Sequence, residues 1–315
     1  MSNTFGDKWS FTSFGESHGV AIGGVLDGVP AGLSIDFAMV SAELARRSGK
    51  KPNADPSLKG GEVGVSPRAI REPDEVEWLS GVLDGVTLGT PIAFIIRNKD
   101  ARPEDYEWLK HSYRVGHADK VYEQKYGIRD WRGGGRASAR ETASRVVAGC
   151  IARQELAQQG IVIRAELIQV GAEKDPDKFS EVIESVRREG DSIGGIVECR
   201  IQGLPVGTGE PIFGKLQAEL AFAIMSINAC KGFEYGTGFG GVDKKGSEIN
   251  AISGGIAGGI SDGSEVVFRC VFKPTPSTPK AGVKGRHDAC VATRAVPVVE
   301  AMTALVLVNA LPPAA

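Results

Sequence analysis

The sequence predicts one α/β (α+β-like) domain spanning residues 1–315, built from layered sheets and helices. Three observations carry that expectation. Strand-like apolar segments and one-faced helical stripes are interleaved along the chain. No internal repeat recurs. No linker of Pro, Gly or like charges divides the 315 residues, a length that suits one large domain.

Taken in order, residues 8–15 read as a short strand ending in FGESHG, and residues 21–29 as a second, apolar strand. Residues 16–19 then form a hairpin-like loop. Residues 36–47 read as a helix ending in Arg46 and Arg47. A Gly-, Pro- and Lys-rich stretch follows. Its portion 48–66, with Lys50, Lys51 and Lys59, is long enough for a lid that orders over an anionic ligand. Residues 73–79 read as a helix, 90–96 as a strongly apolar strand and 103–109 as a short helix. Residues 161–170 form a strand. Asp175 and Pro176 open a helix striped by Phe179, Val182, Ile183 and Val186 and stopped by Gly190. A strand at 196–201 and a long helix at 211–226 follow. INACKGFEYGTGFGG (227–241) is glycine-rich and irregular. Residues 265–273 alternate as a strand, and the chain closes in a loop running into a buried helix.

Between these lies the stretch the chain is organised around, residues 127–153. Gly133, Gly134 and Gly135 are flanked by Arg132 and Arg136. Ser138 and Glu141 have capping-box spacing, and the apolar stripe Ala143, Val146, Val147, Cys150, Ile151 carries a helix to about residue 159. A glycine loop feeding a helix N-terminus is suited to bind an anion, with Arg132, Arg136 and Arg140 as guanidinium forks. The alternative is a tight turn whose arginines face water. No Lys-Ser or Lys-Thr pair makes it a P-loop, and no fitting G-x-G-x-x-G unit makes it a Rossmann fingerprint.

Composition limits the function classes. Hydrophobic content of 42% and charged content of 24% are those of a soluble globular protein. A net charge of −2 argues against a nucleic-acid or anionic-membrane surface, so attraction for anions must be local. MSNTFGDKWS has no signal-peptide core, and the best apolar run, residues 301–311, is too short to span a bilayer. Five cysteines without a C-x-x-C imply a reduced, cytoplasmic protein with no zinc site. Of four histidines, His18, His117 and His287 sit in glycine-flanked loops near carboxylates or arginines, where acid–base chemistry on an anion is plausible.

At these residues the chain resembles the chorismate synthase family. FGESHG, RVGHAD, YGIRDWRGGGRASARET, INACKGFEYG, GGISDG, KPTPS, GRHDACV and RAVPVVEAM occur in the family's order and cover nearly the whole chain. The resemblance implies a β-α-β sandwich rather than a Rossmann fold, usually a homotetramer. It implies an anti 1,4-elimination of phosphate from 5-enolpyruvylshikimate 3-phosphate, giving chorismate with reduced FMN. NADPH serves indirectly as the source of electrons, and an external flavin reductase is the expected partner. By position, His18 matches the acid on the phosphate side, His117 the histidine against the flavin, and Asp288 the carboxylate of the C6 proton step. Arg47, Arg114 and Arg140 match substrate-binding arginines. Flavin contacts match Arg136, Ala137, Ser138, Asn228, Ala229, Gly258, Lys273, Pro274, Thr275, Pro276, Ser277 and Arg286. Val115 and Ala289 stand where prolines are usual, and no second arginine follows Arg47. A flavin- or anion-binding homologue without turnover, and an unrelated phosphate-ligand enzyme built on the glycine loop, are the alternatives.

Overall fold

The computed structural model describes residues 3–49, 71–248, 253–283 and 287–312. The expected lid, apart from Ser48 and Gly49, lies outside these residues, as does Arg286. In chain order the strands begin with β1 (Thr4–Phe5), β2 (Ser10–Phe14), β3 (Ala21–Asp27) and β4 (Val76–Ser80). A small hairpin of β5 (Val82–Leu83) and β6 (Val86–Thr87) precedes β7 (Ile92–Arg97). The order β1-β2-β3-β7-β4 makes an antiparallel sheet. Its register sets Ile22 opposite Ile96 and Leu26 opposite Ile92, all fully buried.

β8 (Val162–Val170), β9 (Gly195–Gln202), β10 (Cys230–Tyr235), the hairpin β11 (Ile256–Ala257) and β12 (Ile260–Ser261), and β13 (Val266–Phe272) complete the strands. β10-β13-β9-β8 is a second antiparallel sheet. Antiparallel pairing in both sheets is incompatible with a doubly wound Rossmann core, as expected.

The helices are α1 (Phe37–Ser48), α2 (Asp119–Tyr126), α3 (Thr142–Gln158), α4 (Phe179–Arg188), α5 (Leu216–Met225) and α6 (Ala292–Ala310). α3 packs on the first sheet, α6 on the second, and the two pack on each other, giving sheet–helix–sheet layers. Position 149 must be small. A Cβ added at Gly149 would lie 2.4 Å from Ala301, so the two helix backbones touch there.

Three expectations needed correction. Residues 76–80 are a strand rather than a helix. Asp74 at φ 54° blocks a helical start, and Val76 and Trp78 pair with Ile96 and Phe94 of β7. β10 lies within the stretch read as irregular; its glycine, Gly232, accompanies a bulge while the strand pairs with β13. The helix read as 211–226 begins only at Leu216. The closing run is also longer than its sequence suggested. α6 has the length and composition to cross a membrane, and 78% of its span is buried inside the fold. It is apolar because it is the central layer.

Candidate active site

Six loops and two helix ends converge on one cleft of about 380 Å³, lined by His18, His117, Asp288, Arg47, Arg114 and Arg140 among others. That volume falls in the usual range of small-molecule sites.

The His18 side is built by backbone proximity. His18 follows β2 and is 5% exposed, with its Nδ1 3.1 Å from Ser17 Oγ. The Tyr106 ring meets it edge-on, with centroids 4.7 Å apart. Gly133, at φ 72°, passes so close that an added Cβ would lie 2.3 Å from His18 Nδ1. The first glycine of the triplet is therefore required by the histidine as well as by the turn. Asn98 at the end of β7 holds the same loop, donating to the carbonyls of Glu16 (3.0 Å) and Gly19 (2.9 Å). Its Oδ1 accepts Arg140 Nε at 2.9 Å.

The cationic floor is Arg47, from the last turn of α1, and Arg140, from a 3-10 turn before α3. Asp74 bridges them, accepting Arg47 Nη2 at 2.9 Å and Arg140 Nη1. Burial alone would raise the Asp74 pKa, but the guanidinia of Arg47 and Arg140 outweigh it and hold the carboxyl below its ordinary value. Arg47 shifts the other way. Burial pushes it down to about 10; Asp74 opposes this, while Arg294 and Arg140 add to it. The asymmetry has a simple origin: the carboxylate faces two cations, whereas Arg47 faces one anion and two cations. Arg47 remains charged at neutral pH.

On the opposite wall, Asp119 at the start of α2 accepts Arg114 Nε (2.9 Å), Arg114 Nη2 (2.8 Å) and His117 Nδ1 (2.8 Å). Burial opposes ionisation of Asp119, yet these hydrogen bonds hold its carboxyl well below the usual range. Asp288 accepts Arg294 Nη1 at 2.7 Å, and Arg294 Nε donates to the Arg47 carbonyl at 2.9 Å. Ala289, where a proline is usual, is buried and its carbonyl takes the Ile193 N–H at 2.8 Å, which tethers the Asp288 loop.

The capping box is only half realised. Ser138 Oγ accepts the Arg140 N–H and caps a 3-10 turn, whereas Glu141 turns away to Arg145. The three guanidinium forks also separate. Arg140 alone lines the cleft. Arg132 pairs with Asp130, and Arg136 donates to Ser13 Oγ and to the carbonyls of Ser13 and Gly15 on the first sheet. Arg136 is thus drawn off the cleft by acceptors in and just after β2.

Of the other expected contacts, Ala137, Ser138, Asn228, Ala229, Lys273, Thr275, Pro276 and Ser277 line the cleft. Pro274 does not; it packs against Gly194. Gly258 does not either. It forms the β11–β12 turn at φ 63°, which accounts for a glycine there. Residues that sequence reasoning missed are Tyr106, Asp74, Asn98, Asp119 and Arg294. Asp119 and Arg294 lay within quoted motifs, RVGHAD and RAVP. Asp74, Asn98 and Tyr106 carried no local signal.

Several buried polar atoms are left without partners, and Arg47 Nε, Asn228 Oδ1 and Ser277 Oγ among them belong to residues lining this cleft. Buried polar groups are normally satisfied, so the cleft is shaped for a ligand rich in hydrogen-bonding atoms. Among the described residues no cluster could hold a metal ion. The five cysteines are free and buried, and burial pushes the Cys150 thiol up to about 12.

Comparison with known proteins gives a consistent result. Residues 9–311 match the family model described as chorismate synthase. A chorismate synthase of Phocaeicola vulgatus is 45% identical, covering 98% of this chain and 97% of its own length. That of Bacteroides thetaiotaomicron is 46% identical with the same coverage. The first alignment runs over 362 positions, so that relative carries segments this 315-residue chain lacks. A solved structure described as "Crystal Structure of Chorismate Synthase" superposes with a TM-score of 0.74 at 28% identity, covering 97% of this chain and 92% of its own.

Proposed function

The chain belongs to the chorismate synthase family, a carbon–oxygen lyase family, and on that premise we propose a substrate, a cofactor and residue roles for its cleft. The substrate is 5-enolpyruvylshikimate 3-phosphate, which carries a phosphate and two carboxylates. The observation that carries this reading is the convergence of His18, His117 and Asp288 with three arginines in one cleft. A protein that only binds an anion has no need of all three acid–base groups.

Arg47, Arg140 and Arg114 bind the anionic groups, each already oriented by an aspartate, so little reorganisation is needed on binding. Arg294 joins them beside Asp288. His18 donates a proton to the departing phosphate oxygen, and the Ser17 hydroxyl on its Nδ1 fixes the ring. Asp288 accepts the C6 proton after Arg294 exchanges it for a substrate anion. Reduced FMN fits the cleft residues with unpaired polar atoms. Asn228 and Ser277 offer hydrogen-bonding groups, Lys273 a cation, and Ala137, Ser138, Ala229, Thr275 and Pro276 the adjoining surface. The chemistry supplied by a bound reduced flavin is electron density lent to C–O cleavage and returned afterwards, so no reductant is consumed per turnover. NADPH feeds that flavin through a separate reductase, and the protein works in the cytoplasm as one large domain.

The test is an anaerobic assay with 5-enolpyruvylshikimate 3-phosphate, with and without reduced FMN. Chorismate formed only with reduced FMN, without stoichiometric flavin oxidation, is the expected result. Full activity with oxidised FMN, or no chorismate at all, overturns it.

A further inference from the structure

Asp119 is 5% exposed and accepts four hydrogen bonds. Three come from Arg114: its backbone N–H at 3.1 Å and Nε at 2.9 Å go to Oδ2, and Nη2 at 2.8 Å goes to Oδ1. The fourth comes from His117 Nδ1, 2.8 Å from Oδ1. We propose that Asp119 is a positioning residue that locks His117 in its Nδ1–H tautomer and, through Arg114, ties it to the glycine loop that seats His18.

Counting protons settles the tautomer. Arg114 Nη2 also stands 3.1 Å from His117 Nδ1, so a bare Nδ1 accepting from Arg114 is the competing arrangement. Nη2 has two hydrogens. One goes to Asp119 Oδ1 and the other to the Gly133 carbonyl at 2.9 Å, which leaves none for the ring. A bare Nδ1 would also set its lone pair against a carboxylate oxygen at 2.8 Å, an uncompensated repulsion at a largely buried site. With the proton on Nδ1, both Asp119 oxygens, both Nη2 hydrogens and His117 Nδ1 have partners. Nε2 is then the ring nitrogen left to address a ligand, with a lone pair whenever the ring is neutral.

The same contacts form a chain across the cleft. His117 leans on Asp119, Asp119 holds Arg114, Arg114 grips the Gly133 carbonyl, and Gly133 lies against the His18 ring. One carboxylate therefore sets the relative placement of two histidines from different loops. Its place at the first turn of α2 adds the favourable end of the helix dipole.

This proposal rests on the cleft being the chorismate synthase site, so its test includes a readout independent of turnover. The full chain is labelled with 15N only in its four histidines, and His117→Gln assigns the signals. Spectra are taken as a pH series, and the nitrogen shifts on the alkaline plateau are read. In the wild type, His117 Nδ1 should be the protonated nitrogen. In Asp119→Asn, the amide oxygen is required opposite the two Arg114 donors now on Oδ2. The amide NH2 is thereby forced toward His117 Nδ1, so the tautomer should invert to Nε2–H. Turnover should fall about 10²- to 10⁴-fold, the scale of losing a correctly held acid–base group. The KM should move only a few-fold, because Arg114 keeps most of its anchor. An unprotonated Nδ1 in the wild type overturns the proposal. So does an Asp119→Asn protein that keeps both the Nδ1–H tautomer and wild-type turnover. Failure of the wild type to form chorismate would instead count against the family reaction, and the tautomer would still be readable.

Discussion

At Gly133 the chain adopts φ 72° with the His18 ring in van der Waals contact, so the residue lacks room for any side chain. Gly133→Ala should displace the ring by a substantial fraction of an ångström. Turnover should drop about 10²-fold, since misplacement of a catalytic group by about 1 Å costs that much. Substrate should still bind, and measured kcat and KM separate the two effects; wild-type kcat would refute the contact. Asp74 bears on stability as well as on the site. Its folded pKa is depressed, so its contribution is present above the ordinary carboxylate value of about 3.9 and is lost as pH falls through the folded value. The wild type should therefore lose stability in acid. Asp74→Asn leaves buried Arg47 without its carboxylate partner and Arg140 with only Glu72, 3.9 Å away, and should cost about 3–5 kcal/mol at neutral pH. Its acid-limb slope should also be shallower, which denaturant titrations at several pH values would reveal. Equal slopes would mean that other carboxylates dominate.

At the scale of elements, the site depends on the α3–α6 crossing. α3 begins just after Arg140 and α6 just after Asp288, so the angle and distance between the two helices set one wall against another. Gly149 fixes that distance against Ala301. Gly149→Val has no space to enter and should destabilise by roughly 3 kcal/mol, at the upper end of overpacking costs. The check is a lowered thermal midpoint, and an unchanged midpoint would show that the helices can part. An ion network centred on buried Glu300 braces the same junction. Glu300 of α6 accepts Arg46 of α1 at 2.8 Å, Arg153 of α3 at 3.1 Å and the Ala165 N–H of β8 at 2.9 Å. One side chain thus ties three helices and the second sheet. The network supplies directional contacts that the apolar residues around it cannot.

At the scale of the molecule, the question is assembly. The closing apolar segment, residues 301–311, is largely buried inside the protomer and is unavailable as an interface. The surface holds other candidates: Phe213, Phe222 and Phe239 are 92%, 66% and 87% exposed. Assembly would bury such side chains, and the family resemblance implies a homotetramer. A homotetramer is the expected state in light scattering, and a monomer at micromolar concentration would refute it.

Much of this protein was legible in the sequence because its signals are local. Period-2 and period-3.6 apolar patterns marked most strands and helices, and the ordered motifs identified the family. His18, His117 and His287 could be singled out because each sits in a short, glycine-flanked motif, whereas Asp288 and the roles followed from the family resemblance. The exceptions have one physical cause. Residues 76–80 became a strand because β7 offered it a partner, a contact made across the sheet. β10 formed despite its glycines for the same reason, against β13. Arg136 left the cleft because carbonyls far away in sequence, Ser13 and Gly15, were within its reach. Asp74 and Asn98 brace the cleft from behind, and Arg294 lines it, through partners more than 20 residues away: Arg47, Arg140 and the Arg47 carbonyl respectively. Local sequence determines which residues are available for chemistry. Which guanidinium faces the ligand, and which aspartate holds it there, is decided by long-range hydrogen bonds that exist only once the layers are packed.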